Sequence, residues 1–124
     1  MSDRALVLFA HGARDPRWAE PFRRLQSLVQ AQRPGTRVEL AFLELMSPRL
    51  PELVPELMQA GCRTVTVVPV FFGQGGHVLR DLPAMTDELR AAHPELDLRV
   101  SPAVGEDADV LAAIARYCLG QLGK

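Results

Sequence analysis

The chain has 124 residues, of which 48% are hydrophobic, and its 14 basic and 15 acidic side chains leave a net charge of −1. This length predicts a single domain over residues 1–124, and the apolar content excludes an intrinsically disordered protein. The balanced charge argues against a protein that binds nucleic acid through a basic face, and no apolar run approaches the ~20 residues that span a bilayer. We therefore expect a soluble, cytoplasmic protein without nucleic-acid or membrane partners.

The predicted elements alternate between strand and helix along the chain. Apolar stretches with strong strand preference predict β-strands at residues 4–10, 37–43, 64–71 and 97–101. Stretches with helical spacing or helix-start signals predict α-helices at residues 18–32, 47–60, 78–92 and 108–122. Strict alternation with short connections implies a parallel sheet with right-handed crossovers. The sequence therefore predicts an α/β fold: a four-stranded parallel sheet of flavodoxin-like order 2-1-3-4, with helices on both faces.

Prolines and glycines predict where the helices begin, bend and end. Ser47 can cap the second helix, with Pro48 in its first turn, and Gly61 ends it. Pro55 and Pro83 lie deeper in the second and third helices, so each is expected to distort its helix.

The two cysteines, Cys62 and Cys118, have neither a CxxC spacing nor a histidine at metal-ligand distance in the sequence. Each is expected to be a buried or half-buried free thiol. We therefore predict that neither takes part in the chemistry of the protein.

The stretch VVPVFFGQGGHVLRDLP, at residues 67–83, delivers a histidine directly after a glycine-rich loop. The loop contains Gly73, Gly75 and Gly76, whose backbone can take positive φ and approach a ligand closely. His77 follows at the predicted start of the third helix, although a histidine there can also simply cap the helix. An open α/β sheet binds its ligands at the carboxyl ends of such strands, so the stretch is a candidate functional site.

Three candidate ligands follow the first three predicted strands. His11 comes after the first strand, Glu44 after the second and His77 after the third. Parallel strands end at one edge of the sheet, so we expect all three to face one crevice, where two imidazoles can share a divalent cation. Taken alone, His11 is more typical of a surface or capping histidine, and Glu44 is equally typical of a solvated loop carboxylate. The pairing of His11 with His77 is what favours a metal site.

Two motifs resemble the CbiX-type chelatases, in particular their small single-domain form. They are FAHGARDP at residues 9–16 and PVFFGQGGHVLRDLP at residues 69–83, and the segments FLE at 42–44 and PAVG at 102–105 are similar as well. One departure is Ala13, where the family commonly has serine after His-Gly. The resemblance implies insertion of divalent cobalt or iron into sirohydrochlorin, for cobalamin or sirohaem biosynthesis, with His11 and His77 as the metal-handling residues.

The resemblance also implies how such a substrate would be held. Sirohydrochlorin carries several carboxylates, and guanidinium groups and backbone N–H groups bind carboxylates well. The candidate substrate-binding residues flank the predicted edge of the sheet: Arg14, Arg17, Arg49, Gly73, Gly75, Gly76 and Arg80. The metal, which could equally be nickel, is a substrate, and no tightly bound cofactor is expected. A homodimer is expected, because the larger chelatases that resemble this family have two such domains facing each other.

Two other functions remain open from the residues alone. A metal-binding or metal-delivery module without catalysis would use the same two histidines. The sequence Ala10-His11-Gly12 with Arg14 is also similar to the Arg-His-Gly of histidine phosphatases, but Ala10 stands where such an enzyme needs arginine. Insertion of metal into sirohydrochlorin, as against binding alone, distinguishes the chelatase from the delivery module.

Overall fold

The computed structural model of the chain describes residues 3–73 and 75–123, with the backbone alone for residues 76–79. Within these residues the strands are Arg4–Ala10 (β1), Arg37–Phe42 (β2), Thr64–Pro69 (β3) and Asp97–Val100 (β4). The α-helices are Glu20–Gln32 (α1), Leu50–Gln59 (α2), Gly76–Ala92 (α3) and Ala108–Gly120 (α4). Short 3-10 turns, Pro16–Ala19 and Val104–Glu106, precede α1 and α4.

The sheet has the predicted topology. Its order is β2-β1-β3-β4 and every neighbouring pair is parallel, so the predicted order 2-1-3-4 is confirmed. β1 lies in the centre, with Ala10 opposite Phe42 of β2 and Phe9 opposite Pro69 of β3. Three strands therefore end side by side at one edge of the sheet.

Helices cover both faces of the sheet, as predicted. On one face, α2 and α3 pack against alternate residues of the strands, among them Val7, Phe9 and Val67, which are fully buried. On the other face, α1 covers β1 and β2 through half-buried residues such as Phe22 and Leu25. Apolar side chains project from both sides of β1, which explains why its sequence is continuously hydrophobic instead of alternating.

The last helix, α4, has no buried residue. Its main contact is with the 3-10 turn that precedes it. On the face that α1 shares, Thr64, Thr66 and Val68 of β3 are only half-buried. The second face is therefore well covered over β1 and β2 and more open over β3.

The start of α2 differs from the prediction. The helix begins at Leu50, with Arg49 as its N-cap residue, instead of at Ser47 and Pro48. The carbonyl of Pro48 accepts a hydrogen bond of 2.9 Å from the N–H of Phe42, which keeps the chain extended beside β2 until Arg49. Side-chain capping by Ser47 is therefore wrong, and the backbone N–H of Arg49 instead donates to Glu52 at 2.7 Å.

Smaller differences concern the ends of other elements. β3 ends at Pro69, so Phe71 and Phe72 lie beyond the strand, and α3 begins two residues earlier than predicted and includes His77. Pro55 and Pro83 lie inside their helices, as predicted. Elements thus end within a few residues of the sequence-based bounds, which is where local signals are weakest.

The two cysteines lie in different environments. Cys62 is buried, as predicted, but Cys118 is exposed on α4, so the prediction of a buried or half-buried thiol is wrong for Cys118. The cause is the exposure of α4 itself.

Across residues 3–73 and 75–123, none of the helices combines the length and the hydropathy that crossing a membrane requires.

Candidate active site

The carboxyl ends of β1, β2 and β3 are joined by backbone hydrogen bonds that continue past the strands. The N–H of Leu43 donates to Ala10 at 2.8 Å, and the N–H of Glu44 donates to His11 at 3.0 Å. On the other side, the N–H of Val70 donates to Phe9 at 2.8 Å. The loops that carry the predicted site residues therefore leave the sheet side by side.

Gly12 allows the loop after β1 to turn tightly over the loop after β2. Its φ is +98°, and a Cβ at this position would overlap the carbonyl of Glu44. Only glycine adopts this conformation at no steric cost and leaves room for so close an approach of two backbones. In contrast, Gly73 and Gly75 have open space around them and do not adopt positive φ, so the constrained glycine lies in the first motif.

His11 lies half-buried in the wall of an apolar cavity of about 370 Å³. Phe71, just beyond β3, packs against it with ring centroids 4.6 Å apart. Trp18 and Phe72 add aromatic surface, and Ile114 of α4 closes part of the wall. The side chain of His11 is thus held by an aromatic ring at the edge of an apolar surface.

His77 is the second residue of α3, which begins directly after the glycine-rich loop. Gly75 is the N-cap residue of this helix, so the loop feeds straight into it. The side chain of His77 lies outside the part of the chain that the structure describes, and so does Gln74. The backbone places His77 at the N-terminal end of α3, on the chain that leaves the carboxyl end of β3.

Glu44 adjoins His11 through the backbone and also lines a second cavity. This cavity has a volume of about 510 Å³ and is also lined by Arg49, Asp81 and Glu88. Leu45, the next residue, has a φ of +68°, which is uncommon for a residue other than glycine. The structure therefore brings the backbones of residues 11 and 44 together, and Glu44 also lines a cavity that α2 and α3 share.

The four predicted arginines differ in their partners. Arg17 forms a bidentate ion pair with Asp15, with a shortest distance of 2.7 Å. Its hydrogen bonds lower the pKa of Asp15 below the ordinary range and raise the pKa of Arg17. Arg49 donates from Nε to the carbonyl of Leu43 at 3.1 Å. Arg14 and Arg80 are exposed, in the first loop and near the start of α3 respectively.

Among the side chains that the structure describes, no three of the types histidine, cysteine, aspartate and glutamate converge in a way that could hold a metal ion. A site with three protein ligands that includes His11 therefore needs at least one ligand from outside these described side chains. Neutral imidazole suits divalent cobalt, nickel, iron and zinc.

The residues that line the apolar cavity beside His11 were not predicted from the sequence. Trp18 and Phe22 have the spacing of core residues of a helix, and they do pack with Phe42, but they also line the cavity. Gly105 approaches the end of β3 closely, because its N–H donates to Phe71 at 3.1 Å and a Cβ would overlap the backbone of Phe72. The PAVG segment that contains Gly105 resembles a segment of the family, but its contact with the chain after β3 could not be predicted from the sequence.

The CbiX family model matches residues 5–118. The chain belongs to the CbiX family. A sirohydrochlorin cobaltochelatase of Methanocaldococcus jannaschii is 33% identical over 89 residues, which are 72% of this chain and 62% of that protein. A sirohydrochlorin cobaltochelatase of Sulfolobus acidocaldarius is 27% identical over 95% of this chain and 94% of its own length. The chain thus spans less than two thirds of the M. jannaschii relative and nearly all of the S. acidocaldarius relative.

Solved structures of the CbiX family and of a sirohydrochlorin chelatase share this fold. A CbiX protein of cobalamin biosynthesis from Marinobacter aquaeolei is 30% identical, with a TM-score of 0.85 over 96% of this chain and 97% of that chain. The sirohydrochlorin chelatase SirB from Bacillus subtilis, solved in complex with cobalt, is 20% identical with a TM-score of 0.78. The match covers 91% of this chain but 48% of SirB, so this CbiX chain corresponds in length to half of SirB.

Proposed function

We propose that this CbiX chain inserts a divalent metal ion into sirohydrochlorin. The observation that carries the proposal is the position of His11, half-buried at the edge of an apolar cavity where the first strand ends. A flat macrocycle offers large apolar faces to such a cavity, and an imidazole at its edge offers a nitrogen for the metal or for a proton. Its family relatives carry the name sirohydrochlorin cobaltochelatase, which supports the same reaction.

The reaction needs one group that holds the metal and one that accepts protons. Insertion exchanges the metal ion for two pyrrole N–H protons, so two protons must leave the macrocycle as the metal–nitrogen bonds form. A neutral imidazole ligates a metal or accepts a proton near neutral pH. We assign these tasks to His11 and His77 together, because both follow strands that end at the same edge of the sheet.

The substrate carboxylates require cationic or N–H partners around the cavity. Arg14 and Arg80 are the stronger candidates, since they are exposed near the loops that carry the two histidines. Arg17 would have to exchange its ion pair with Asp15 for a substrate carboxylate. Arg49 lines the second cavity, on the side of Glu44. The backbone at Gly73, Gly75 and Gly76 leads into the N-terminus of α3, which favours negative charge.

Glu44 is the weaker of the candidate ligands. Its N–H donates to His11, which fixes the backbone beside the proposed site, and the residue also lines the second cavity, together with Asp81 and Glu88. We propose that it helps to hold the first loop in place and that metal binding depends mainly on the two histidines.

The proposal includes a cytoplasmic homodimer. One copy offers a cavity of about 370 Å³, which encloses only part of a tetrapyrrole. A two-fold pair would place two such cavities, each with a His11, around one macrocycle. Cobalt, iron and nickel all suit this set of ligands, so the metal is best identified by comparing all three.

Single alanine variants of the histidines test the proposal. His11→Ala and His77→Ala are expected to lower the rate of cobalt insertion into sirohydrochlorin by ~10²–10⁴-fold, as is typical for loss of an acid–base group. His93→Ala is the matched control, since His93 is the C-cap residue of α3, at the other end of that helix. Each variant is first checked for wild-type thermal unfolding, and insertion is then measured with cobalt, iron and nickel.

The outcomes separate the proposed functions. If either His11→Ala or His77→Ala folds and keeps wild-type insertion rates, that histidine has no role in the reaction. If the wild-type protein binds cobalt but does not accelerate insertion, it is a metal-delivery module. Membership of the CbiX family argues against the histidine-phosphatase interpretation, which turnover of a generic phosphoester would revive.

A further inference from the structure

We infer that Phe71 is a positioning residue, which orients the imidazole of His11 for metal insertion. The two rings pack together with centroids 4.6 Å apart and planes inclined at 46°. A tilted pair of rings at this separation makes a favourable and geometrically specific contact. Phe71 thus acts on the reaction through His11 and is not itself a catalytic group.

The contact with Phe71 is notable because the His11 ring lacks the usual means of orientation. Histidines that ligate a metal are normally oriented by a hydrogen bond from their second ring nitrogen to a carboxylate, a carbonyl or water. Among the protein groups that the structure describes, none forms a hydrogen bond with the imidazole of His11. The hydrogen bond from the N–H of Glu44 reaches only the backbone carbonyl of His11. Packing against Phe71 therefore takes the place of a hydrogen bond to the ring.

Phe71 can orient His11 because its own ring and backbone are both anchored. Its ring meets that of Phe9 edge-on, with centroids 6.5 Å apart, and Phe9 is fully buried. The carbonyl of Phe71 accepts a hydrogen bond of 3.1 Å from the N–H of Gly105, in the turn before α4. A Cβ on Gly105 would overlap the backbone of Phe72, so this close approach requires glycine. The contact with His11 is thus an extension of the packed core.

A fixed imidazole contributes to the rate because insertion needs the lone pair of one ring nitrogen in one place. An imidazole that rotates about its side-chain bonds is directed away from the metal or the proton for part of the time. This loss of orientation affects the chemical step more than the binding of the macrocycle, so it lowers kcat and leaves KM nearly unchanged. Loss of a residue that orients a ligand typically costs about 10–100-fold in activity.

The role of Phe71 rests on the proposed function, because it operates through His11. The two are nevertheless tested separately. If His11→Ala retains the wild-type insertion rate, the proposed function fails. If His11→Ala is impaired and Phe71→Leu retains the wild-type kcat, only the positioning role fails. The ring contact itself is measured on the protein without metal or substrate.

Three single variants separate orientation from general loss of packing. Phe71→Leu removes the ring and keeps an apolar side chain, whereas Phe71→Tyr keeps the ring. Met58→Ala is the matched control, because Met58 in α2 is also a partly buried residue packed against the same core as Phe71. Each variant is checked for thermal unfolding, and kcat and KM for cobalt insertion are then measured. We expect Phe71→Leu to lower kcat about 10–100-fold, and the other two variants to keep the wild-type kcat.

A double variant shows whether Phe71 acts through His11. In the His11→Ala background there is no imidazole to orient, so adding Phe71→Leu is expected to cause no further loss of kcat. Two residues that contribute independently would instead give losses that multiply. A double variant that loses the full effect of Phe71→Leu on top of that of His11→Ala overturns the positioning role.

Nuclear magnetic resonance of the histidine ring protons gives a readout without substrate. The chain has three histidines, so the signals of His11 are those that disappear in His11→Ala. We expect a nuclear Overhauser effect between the rings of His11 and Phe71 in the wild type. The His11 signals should shift in Phe71→Leu, because the ring current of Phe71 is lost, and should stay in place in Met58→Ala.

A second ringless variant covers the case in which Phe71→Leu does not fold. Phe71→Met then takes its place, since an unbranched methionine adapts to irregular space in a core. The wild-type nuclear Overhauser effect does not depend on any variant of Phe71. Its absence, or a wild-type kcat in the folded ringless variant, overturns the inference.

Discussion

Helices α2 and α4 are both amphipathic, but only α2 is covered by its own chain. α2 buries Leu50, Leu53, Val54 and Leu57 in the core that it shares with the sheet and α3. α4 is longer, with 13 residues against 10, and buries none. An amphipathic pattern therefore indicates that a helix has an apolar side, but it does not indicate whether the same chain buries that side.

The largest expected effect comes from the covered helix. Leu57→Ala removes most of a fully buried side chain and should lower the free energy of unfolding by about 2–5 kcal/mol, as large-to-small core substitutions do. Leu119→Ala, at an exposed position of α4, should change it by less than about 0.5 kcal/mol. Urea unfolding monitored by circular dichroism measures both. Similar losses for the two variants would contradict the burial pattern that distinguishes α2 from α4.

The next effect concerns the stability of the pair. If the protein is the proposed homodimer, unfolding is coupled to dissociation, and stability depends on protein concentration. A hundredfold increase in concentration should raise the free energy of unfolding by about 2.7 kcal/mol per dimer through mass action. Thermal unfolding at several concentrations measures this directly. A Tm that does not change with concentration would contradict the proposed homodimer.

Two loop glycines differ in how closely the rest of the chain packs against them. Gly12→Ala should destabilise the protein by about 1–3 kcal/mol, because the new Cβ would overlap the carbonyl of Glu44 and the φ of +98° is unfavourable for alanine. Gly73→Ala, with open space around it, should be close to neutral. Chemical unfolding of both variants tests the difference. If Gly12→Ala is as stable as Gly73→Ala, the close approach of the two backbones does not constrain the loop.

The smallest effect is expected at the exposed cap before α1. Asp15 accepts hydrogen bonds from the backbone N–H and the side chain of Arg17, so Asp15→Ala should lower Tm slightly at neutral pH. The pKa of Asp15 is lowered in the folded protein, mainly by the side-chain hydrogen bond from Arg17. Its stabilisation is therefore complete above the ordinary aspartate pKa and is lost as pH falls through the lowered value.

A pH series separates this cap from a general effect of the substitution. The difference in Tm between wild type and Asp15→Ala should be constant near neutrality and should shrink below about pH 4, the range in which aspartate is ordinarily protonated. Asp15→Asn serves as the control, because it removes the charge but keeps an oxygen that can accept a hydrogen bond. A Tm difference that is independent of pH would exclude the ion pair as its cause.

The sequence by itself determined the architecture of the sheet and the edge at which the residues of the proposed site lie. Strand and helix alternate in a pattern set by local hydrophobic periodicity, and parallel strands joined by right-handed crossovers leave few possible orders. The order 2-1-3-4 and the location of His11 after β1 follow from those rules. His77 likewise lies after β3, as predicted, because the glycine-rich loop separates the strand segment from the start of α3.

Only the tertiary structure decided the features that depend on residues far apart in the chain. The start of α2 is delayed because the carbonyl of Pro48 bonds to the N–H of Phe42, and Gly12 is constrained because Glu44 lies against it. The exposure of α4 also depends on residues far apart in the chain. Its sequence shows an apolar side, but whether that side is buried depends on where the chain directs the helix after β4, and on what else is present to cover it.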